Sequence, residues 1–271
     1  MRNRVVLITG ASSGMGKETA RLLAANGYTV YAAARRTGQM KDLQEAGVKV
    51  LAMDVTNDTS MNSGVDSIIE AEGSIDILIN NAGFGLMGSI EDVPLEKARD
   101  QMEVNVFGLA RLTQLVLPLM RKQQSGKIVN ITSTSGKMAS PLSGWYSASK
   151  FAVEALSDSL RLEVKPFGID VIIIEPGGVK SEWGDIALKS LHDVSLGTAY
   201  GKMAAKIIEF AEKAKPKNAE PIVIAELILK SLTATKPKAR YYGGYMAGVI
   251  LLLKKMLTDR QFDSLLMGQM K

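Results

Sequence analysis

Residues 5–27 read VVLITGASSGMGKETARLLAANG, and this stretch decides the fold. Its apolar, β-branched opening, Val5 to Thr9, predicts a strand. Gly10, Gly14 and Gly16 then make a turn, and residues 17–26 carry helical spacing up to Gly27, a residue that readily takes the left-handed conformation of a helix end. A glycine turn between a strand and a helix lets backbone pass close to a bound group. The free N–H groups and the dipole at the helix start favour an anion there. Ser12, Ser13 and Met15 lie in the same turn, and the Ser13 hydroxyl is placed to add a bond to a phosphate. The expectation is a nucleotide site.

Working outward, further apolar runs at 29–34, 48–53, 75–80, 127–132, 170–175 and 239–242 alternate with amphipathic segments. Parallel strands cannot be joined by tight hairpins. The alternation therefore predicts an α/β fold of Rossmann type, a doubly wound parallel sheet with helices on both faces. Gly47 and Gly168 stand as further helix stops. No linker or change of composition divides residues 1–271, so one domain is expected. The pattern loosens after Glu175. Residues 178–218 connect the sixth strand to a helix starting near Pro221, and 182–220 are expected to form a substrate-binding loop or lid. Residues 245–271 are expected to form a C-terminal helical extension. It is apolar for too few residues to span a bilayer and carries Lys254 and Lys255, so it is read as packed or lid-like, with peripheral membrane contact left open.

Composition narrows the chemistry. There is no cysteine, which excludes disulfides, thiolate nucleophiles and cysteine-held metals, and the single histidine, His192, sits in a polar stretch without companions. No metal site is expected. The formal charge is +5, but lysines alternate with glutamates, as in KIIEFAEKAKPK, so a solvated helix face is expected rather than a nucleic-acid surface. The N-terminal run is too short for a signal peptide, giving a cytoplasmic expectation.

Two constellations carry the chemistry. The second strand ends YAAARR, with Ala34 where an NAD site usually places an acid, followed by Arg35 and Arg36. A guanidinium grips a 2′-phosphate through paired, charge-assisted bonds, so the expected cofactor is NADP(H). The second is YSASK, in which Tyr146 and Lys150 stand four apart on one helix face. A free phenol titrates near 10, and an adjacent ammonium is expected to lower it, supplying an acid/base where histidine is missing.

The G-x-x-x-G-x-G spacing, Asn80–Gly83 (NNAG), Ser133 in NITSTSG and YSASK, in that order, resemble the short-chain dehydrogenase/reductase family. Within it the chain looks most like the hydroxysteroid- and retinol-dehydrogenase-like members. The resemblance implies a hydride transfer between nicotinamide and a carbonyl or secondary alcohol, with Tyr146 as the proton donor. Ser133 would bond the reacting oxygen, Lys150 would also hold the nicotinamide ribose, and Asn105 would bind a relay water. It further implies adenine and ribose contacts from Asp54, Val55, Asn81, Ala82 and Gly83. Pro176, Gly177, Val179 and Ser181 would contact the nicotinamide, Ser181 standing where threonine is usual. Helices 102–122 and 146–165 align with the family's oligomer faces, implying a homodimer or homotetramer. Phe84, Met138 and Trp183, with Leu86, Met87, Ile186, Leu188, Leu191 and Met203 nearby, are candidates for a pocket taking an apolar small-molecule carbonyl or alcohol, or else simply core. The alternative function is a catalytically silent NADP(H)-binding regulator of the same fold.

Overall fold

The computed structural model describes residues 3–268. In chain order its principal elements are β1 (Val5–Thr9), α1 (Gly14–Ala25), β2 (Thr29–Ala34), α2 (Lys41–Glu45), β3 (Lys49–Ala52), α3 (Asp58–Glu72), β4 (Ile77–Asn80), α4 (Leu95–Met102), α5 (Leu109–Gln123), β5 (Gly126–Ile131), α6 (Gly144–Val164), β6 (Ile169–Pro176), α7 (Glu182–Ser195), α8 (Gly201–Ala214), α9 (Ile222–Thr233), β7 (Arg240–Gly243), α10 (Ala247–Met256) and α11 (Asp259–Gly268). The strands form one sheet of order β3-β2-β1-β4-β5-β6-β7, parallel throughout. This is a single-domain Rossmann-type fold. The strand order reverses between β1 and β4, and a crevice opens there at the carboxyl ends of the strands, where open α/β sheets bind ligands.

Near-continuous apolar strands are explained by burial on both faces. Val6, Ile8, Ala32, Ile79 and Ile172 pack beneath Ala20 and Leu23 of α1 and Ile224 and Ile228 of α9. Their neighbours Val5, Leu7, Leu78 and Val171 face the opposite way, against Ile68, Leu112, Val116 and Met120 of α3 and α5. At roughly 1.5–3 kcal/mol for each large aliphatic side chain fully removed from water, these two layers hold the strand ends fixed.

Two elements differ from the sequence expectation. Residues 182–220 are not a loop: most of the segment is the helix pair α7 and α8. The buried stripe of α7, Ala187, Leu191 and Ser195, has four-residue spacing, but it is narrow and lies among exposed polar residues, so it was not visible as periodicity. The helix expected over 102–122 begins earlier, at Leu95, and is interrupted by a π-helical turn over Glu103–Gly108. The expected C-terminal extension is described only to Gly268, as α10 and α11; residues 1, 2 and 269–271 lie outside the described residues.

Candidate active site

One cleft of about 1020 Å³ runs along the carboxyl edge of the sheet, from the glycine turn and Arg35 at one end to α7 and α8 at the other. The turn is bound tightly to the segment after β4. Asn81 Nδ2 donates to the carbonyls of Thr9 (3.0 Å) and Gly10 (3.1 Å), and Thr9 Oγ1 accepts from the amides of Asn81 and Ala82. A Cβ on Gly16 would lie 2.4 Å from Asn81 Nδ2 and 2.5 Å from the Gly10 oxygen. One on Gly10, whose φ is +65°, would lie 2.7 Å from Ala82 Cα. These glycines are therefore required by contacts within the protein, before any ligand is considered. Asn81, Ala82 and Gly83 all line the cleft.

The start of α1 fits a phosphate group. Ser13 stands at its N-cap without capping through its side chain, and no acid occupies the first turn, so the helix presents uncompensated N–H groups to the cleft. Ser12, Ser13, Gly14, Met15 and Gly16 line it, as do Arg35, Arg36, Asp54 and Val55. Arg36 Nη2 donates to Ser12 Oγ (3.3 Å) and pairs with Glu182 Oε2 at 3.0 Å, which joins the end of β2 to the start of α7. Burial acts to raise the Asp54 carboxyl, but two bonds from Thr56 and the Arg35 charge outweigh it and hold the carboxyl below its ordinary value. The donor set, an open helix start with two guanidinium groups and no acid at Ala34, fits a dinucleotide carrying an extra phosphate.

In the middle of the cleft, Ser133 follows β5, while Tyr146 and Lys150 project from one face of α6. Both are buried. Ser133 Oγ accepts from the Ser135 amide at 3.1 Å and donates to the Pro176 carbonyl at 3.5 Å, and Ser133 lies within electrostatic reach of the Tyr146 phenol. Lys150 Nζ donates to the Ile131 carbonyl (2.9 Å) and lies 5.9 Å from the centre of the Tyr146 ring. The expected lowering of the phenol is not found. Burial pushes Tyr146 up to about 12, with the Ser133 side chain acting the other way, and burial brings the Lys150 amine down to about 8 against the pull of the Glu154 charge. No effect of the Lys150 charge offsets the loss of water at the phenol, so Tyr146 holds its proton at neutral pH.

Asn105 lies in the π-helical turn, a local widening frequent at functional sites. Its side chain clamps Phe84, with Oδ1 accepting from the Phe84 amide (3.1 Å) and Nδ2 donating to the Phe84 carbonyl (3.0 Å) and to Ser149 Oγ (3.1 Å). The amide group expected to hold a water is thus committed to the protein. Pro176, Gly177, Val179 and Ser181 line the cleft opposite Tyr146. They are pinned by bridges from Gly178 to Tyr245 and from Val179 to Ala219.

Of the pocket candidates, Phe84 and Trp183 line the cleft. The Trp183 ring lies 4.9 Å from that of Tyr146, in a position open only because residue 85 is glycine: a Cβ there would meet the indole at 2.3 Å. Met138 does not line it. The 3₁₀ turn after Ser133 folds the chain back, Lys137 is drawn to Glu154, and Met138 is buried outside the cleft. Leu191 and Met203 belong to the packing between α7 and α8. Ile207, Phe210 and Ala211 of α8 line the cleft and were missed, although their spacing of three and four was visible in KIIEFAEK.

Residues 4–188 match the family model described as short chain dehydrogenase. The chain is 36% identical over 256 residues to a 3-ketodihydrosphingosine reductase of Bacteroides thetaiotaomicron, covering 94% of this chain and 93% of the relative. It is 33% identical over 278 residues to an NADPH-dependent 3-dehydrocapnine reductase of Ornithobacterium rhinotracheale, covering 99% and 98%. A crystal structure of a short-chain dehydrogenase from Streptomyces avermitilis superposes with a TM-score of 0.82 at 33% identity, covering 98% of this chain and 94% of that one.

Proposed function

The chain belongs to the short-chain dehydrogenase/reductase family, and on that premise we propose that it is an NADP(H)-dependent reductase of apolar carbonyl compounds: steroid-, retinoid- or lipid-like ketones or aldehydes. The observation that carries the proposal is the buried Tyr146 and Lys150, with Ser133 beside them, midway along a cleft with guanidinium groups at one end and an apolar wall at the other. The relatives named above, two of them reductases and one NADPH-dependent, support it.

In this reaction the start of α1 and Arg35 hold the phosphates, and Lys150 holds the ribose next to the nicotinamide. NADPH, when bound, supplies the hydride that the carbonyl carbon accepts. Ser133 and Tyr146 bond the carbonyl oxygen, and Tyr146 releases its phenolic proton to that oxygen as the negative charge develops, leaving an alcohol. A phenol held at about 12 is protonated in the resting protein, as a proton donor must be. The α7–α8 pair forms the substrate lid, with Trp183, Ile186, Ile207 and Phe210 taking the apolar part of the substrate.

The proposal extends to a cytoplasmic homodimer or homotetramer, joined through the exposed Phe107, Phe151, Leu156 and Leu162 of the α5–α6 side. No helix among the described residues is long and apolar enough to cross a membrane. Val249, Leu252 and Met256, exposed on α10 beside Lys255, support a peripheral lipid contact, which flotation with anionic vesicles tests. For the reaction itself, purified protein is mixed with NADPH and a panel of apolar ketones while absorbance of the reduced coenzyme is followed. Consumption that Tyr146→Phe abolishes is expected. Ligand-dependent association unaffected by that substitution, without turnover, supports a regulator instead.

A further inference from the structure

In the proposed reaction Trp183 is one of four apolar residues that meet the substrate, but its position sets it apart. Its indole lies against the ring of Tyr146, with ring centres 4.9 Å apart and planes inclined at 52°. The indole also rests on Gly85. A Cβ on that residue would lie 2.7 Å from Trp183 Cε2 and 3.0 Å from Cη2, and nearer still to Cζ2. The backbone at Gly85 does not take the positive φ that favours glycine, so its own conformation does not call for that residue. The indole does. Gly85 is not among the residues lining the cleft, and it bears on a substrate only through Trp183.

The helix that carries the indole is fastened to the same segment. Ser190 Oγ donates to the Met87 carbonyl at 2.9 Å, and a Cβ on Gly88 would lie 2.7 Å from Val194 Cγ1. Residues 183, 190 and 194 stand seven and four apart, which places them on one face of α7. The face that holds α7 to residues 85–88 therefore also presents the indole to Tyr146.

A carbonyl that accepts from the Tyr146 phenol brings two substituents with it. Carbon layers in contact stand about 3.5–4.0 Å apart, so a saturated ring or a branch lying between indole and phenol would need ring centres roughly 7–8 Å apart. The observed 4.9 Å leaves no such layer. One substituent must pass beside the indole, while the other extends along the apolar wall toward Ile207 and Phe210.

We propose that Trp183 is a specificity-determining residue, with Gly85 as the positioning residue that admits it, and that the pair confines the reaction to carbonyls slim on one side. Aldehydes and unbranched chain ketones meet that condition; fused-ring ketones of the steroid kind do not. The inference rests on the reductase reading and narrows its substrate range.

The test compares methyl octyl ketone with cyclohexyl octyl ketone, which share one arm and differ in the other, at saturating NADPH. The wild type is expected to favour the methyl ketone in kcat/KM by roughly 10–200-fold, and Trp183→Ala to cut that preference at least about tenfold. Gly85→Ala pushes on the indole and should change the preference by more than about threefold, whereas in the Trp183→Ala background it should leave it within about twofold. An effect of residue 85 on structure alone would persist in both backgrounds. Acrylamide quenching of Trp183 fluorescence, with the other tryptophan removed by Trp145→Phe, should rise in Gly85→Ala. Equal use of the two ketones by the wild type, or a preference that Trp183→Ala leaves intact, overturns the inference. An equal response to Gly85→Ala in both backgrounds, or unchanged quenching, overturns the role of Gly85; if Gly85→Ala does not fold, the Trp183→Ala comparison decides. Absence of turnover on both ketones refutes the reductase reading instead, and the quenching still judges whether Gly85 seats the indole.

Discussion

The two walls of the cleft are built in opposite ways. The wall formed by the strand ends and α6 is buried, polar and closely hydrogen-bonded: Tyr146 and Lys150 are each less than a tenth exposed, and glycines stand where backbone meets backbone or side chain. The α7–α8 wall is apolar and partly open, with Ile186 48% and Phe210 56% exposed. Its links to the rest of the chain lie mainly at its margins. Ser195 Oγ donates to Asp92, Ser190 bonds the backbone of Met87, and Arg36 pairs with Glu182. The proposed chemistry thus sits on a rigid surface that allows one geometry, while the proposed substrate-facing surface can change shape or residue type at little cost to the fold. Substitutions on the first wall should remove function or stability, and those on the second should redistribute substrate preference.

The largest effect belongs to the first wall. Tyr146→Phe removes the proposed proton donor without altering the ring, and kcat/KM should fall roughly 10²–10⁴-fold, with coenzyme affinity nearly unchanged by fluorescence titration. Next is Arg35→Ala. Loss of a charge-assisted bond worth about 1.5–3 kcal/mol should lower kcat/KM for NADPH by roughly one to two orders of magnitude and leave that for NADH little altered. Equal use of both coenzymes by the wild type would remove the case for NADP(H). Gly16→Ala tests rigidity rather than chemistry. Its methyl group must displace Asn81 or the Gly10 carbonyl, so a stability loss of about 1–3 kcal/mol is expected in urea melts, together with weaker coenzyme binding.

How legible each wall was in the sequence follows from the same contrast. The parallel sheet could be read because strands covered on both faces must be apolar at every position, as in VVLIT and IDVIII. The positions of Tyr146 and Lys150 could be read because a helix fixes residues four apart on one face. The protonation of Tyr146 could not. Spacing places an ammonium nearby but reveals neither its 5.9 Å separation from the ring centre nor the burial that decides the outcome. Asn105 was found as a residue, but its bonds to Phe84 and Ser149 were not, since a π turn leaves no mark in composition. The α7–α8 pair was taken for a loop because an element that faces a cleft keeps only a thin core stripe. Met138 was misplaced for a related reason: its course depends on Lys137 reaching Glu154, a contact between residues far apart in the chain.

The smallest effect, and the sharpest division between the walls, lies within the α7–α8 pair itself. Leu191 and Phe210 are both large apolar residues there, but Leu191 is fully buried against the neighbouring helix while Phe210 lines the cleft and is more than half exposed. Leu191→Ala should create a cavity and cost about 2–5 kcal/mol of stability. Phe210→Ala removes a surface that is wet in the free protein and covered only when an apolar substrate is bound. Its unfolding free energy should therefore change by less than about 0.5 kcal/mol. KM for long apolar ketones should rise by roughly three- to tenfold, corresponding to about 25–50 Å² of contact at 25 cal/mol per Å², while a small ketone that stops short of α8 should be reduced as before. Equal loss on both ketones would place Phe210 in the architecture of the site and erase the distinction between a wall that performs the reaction and a wall that selects what undergoes it.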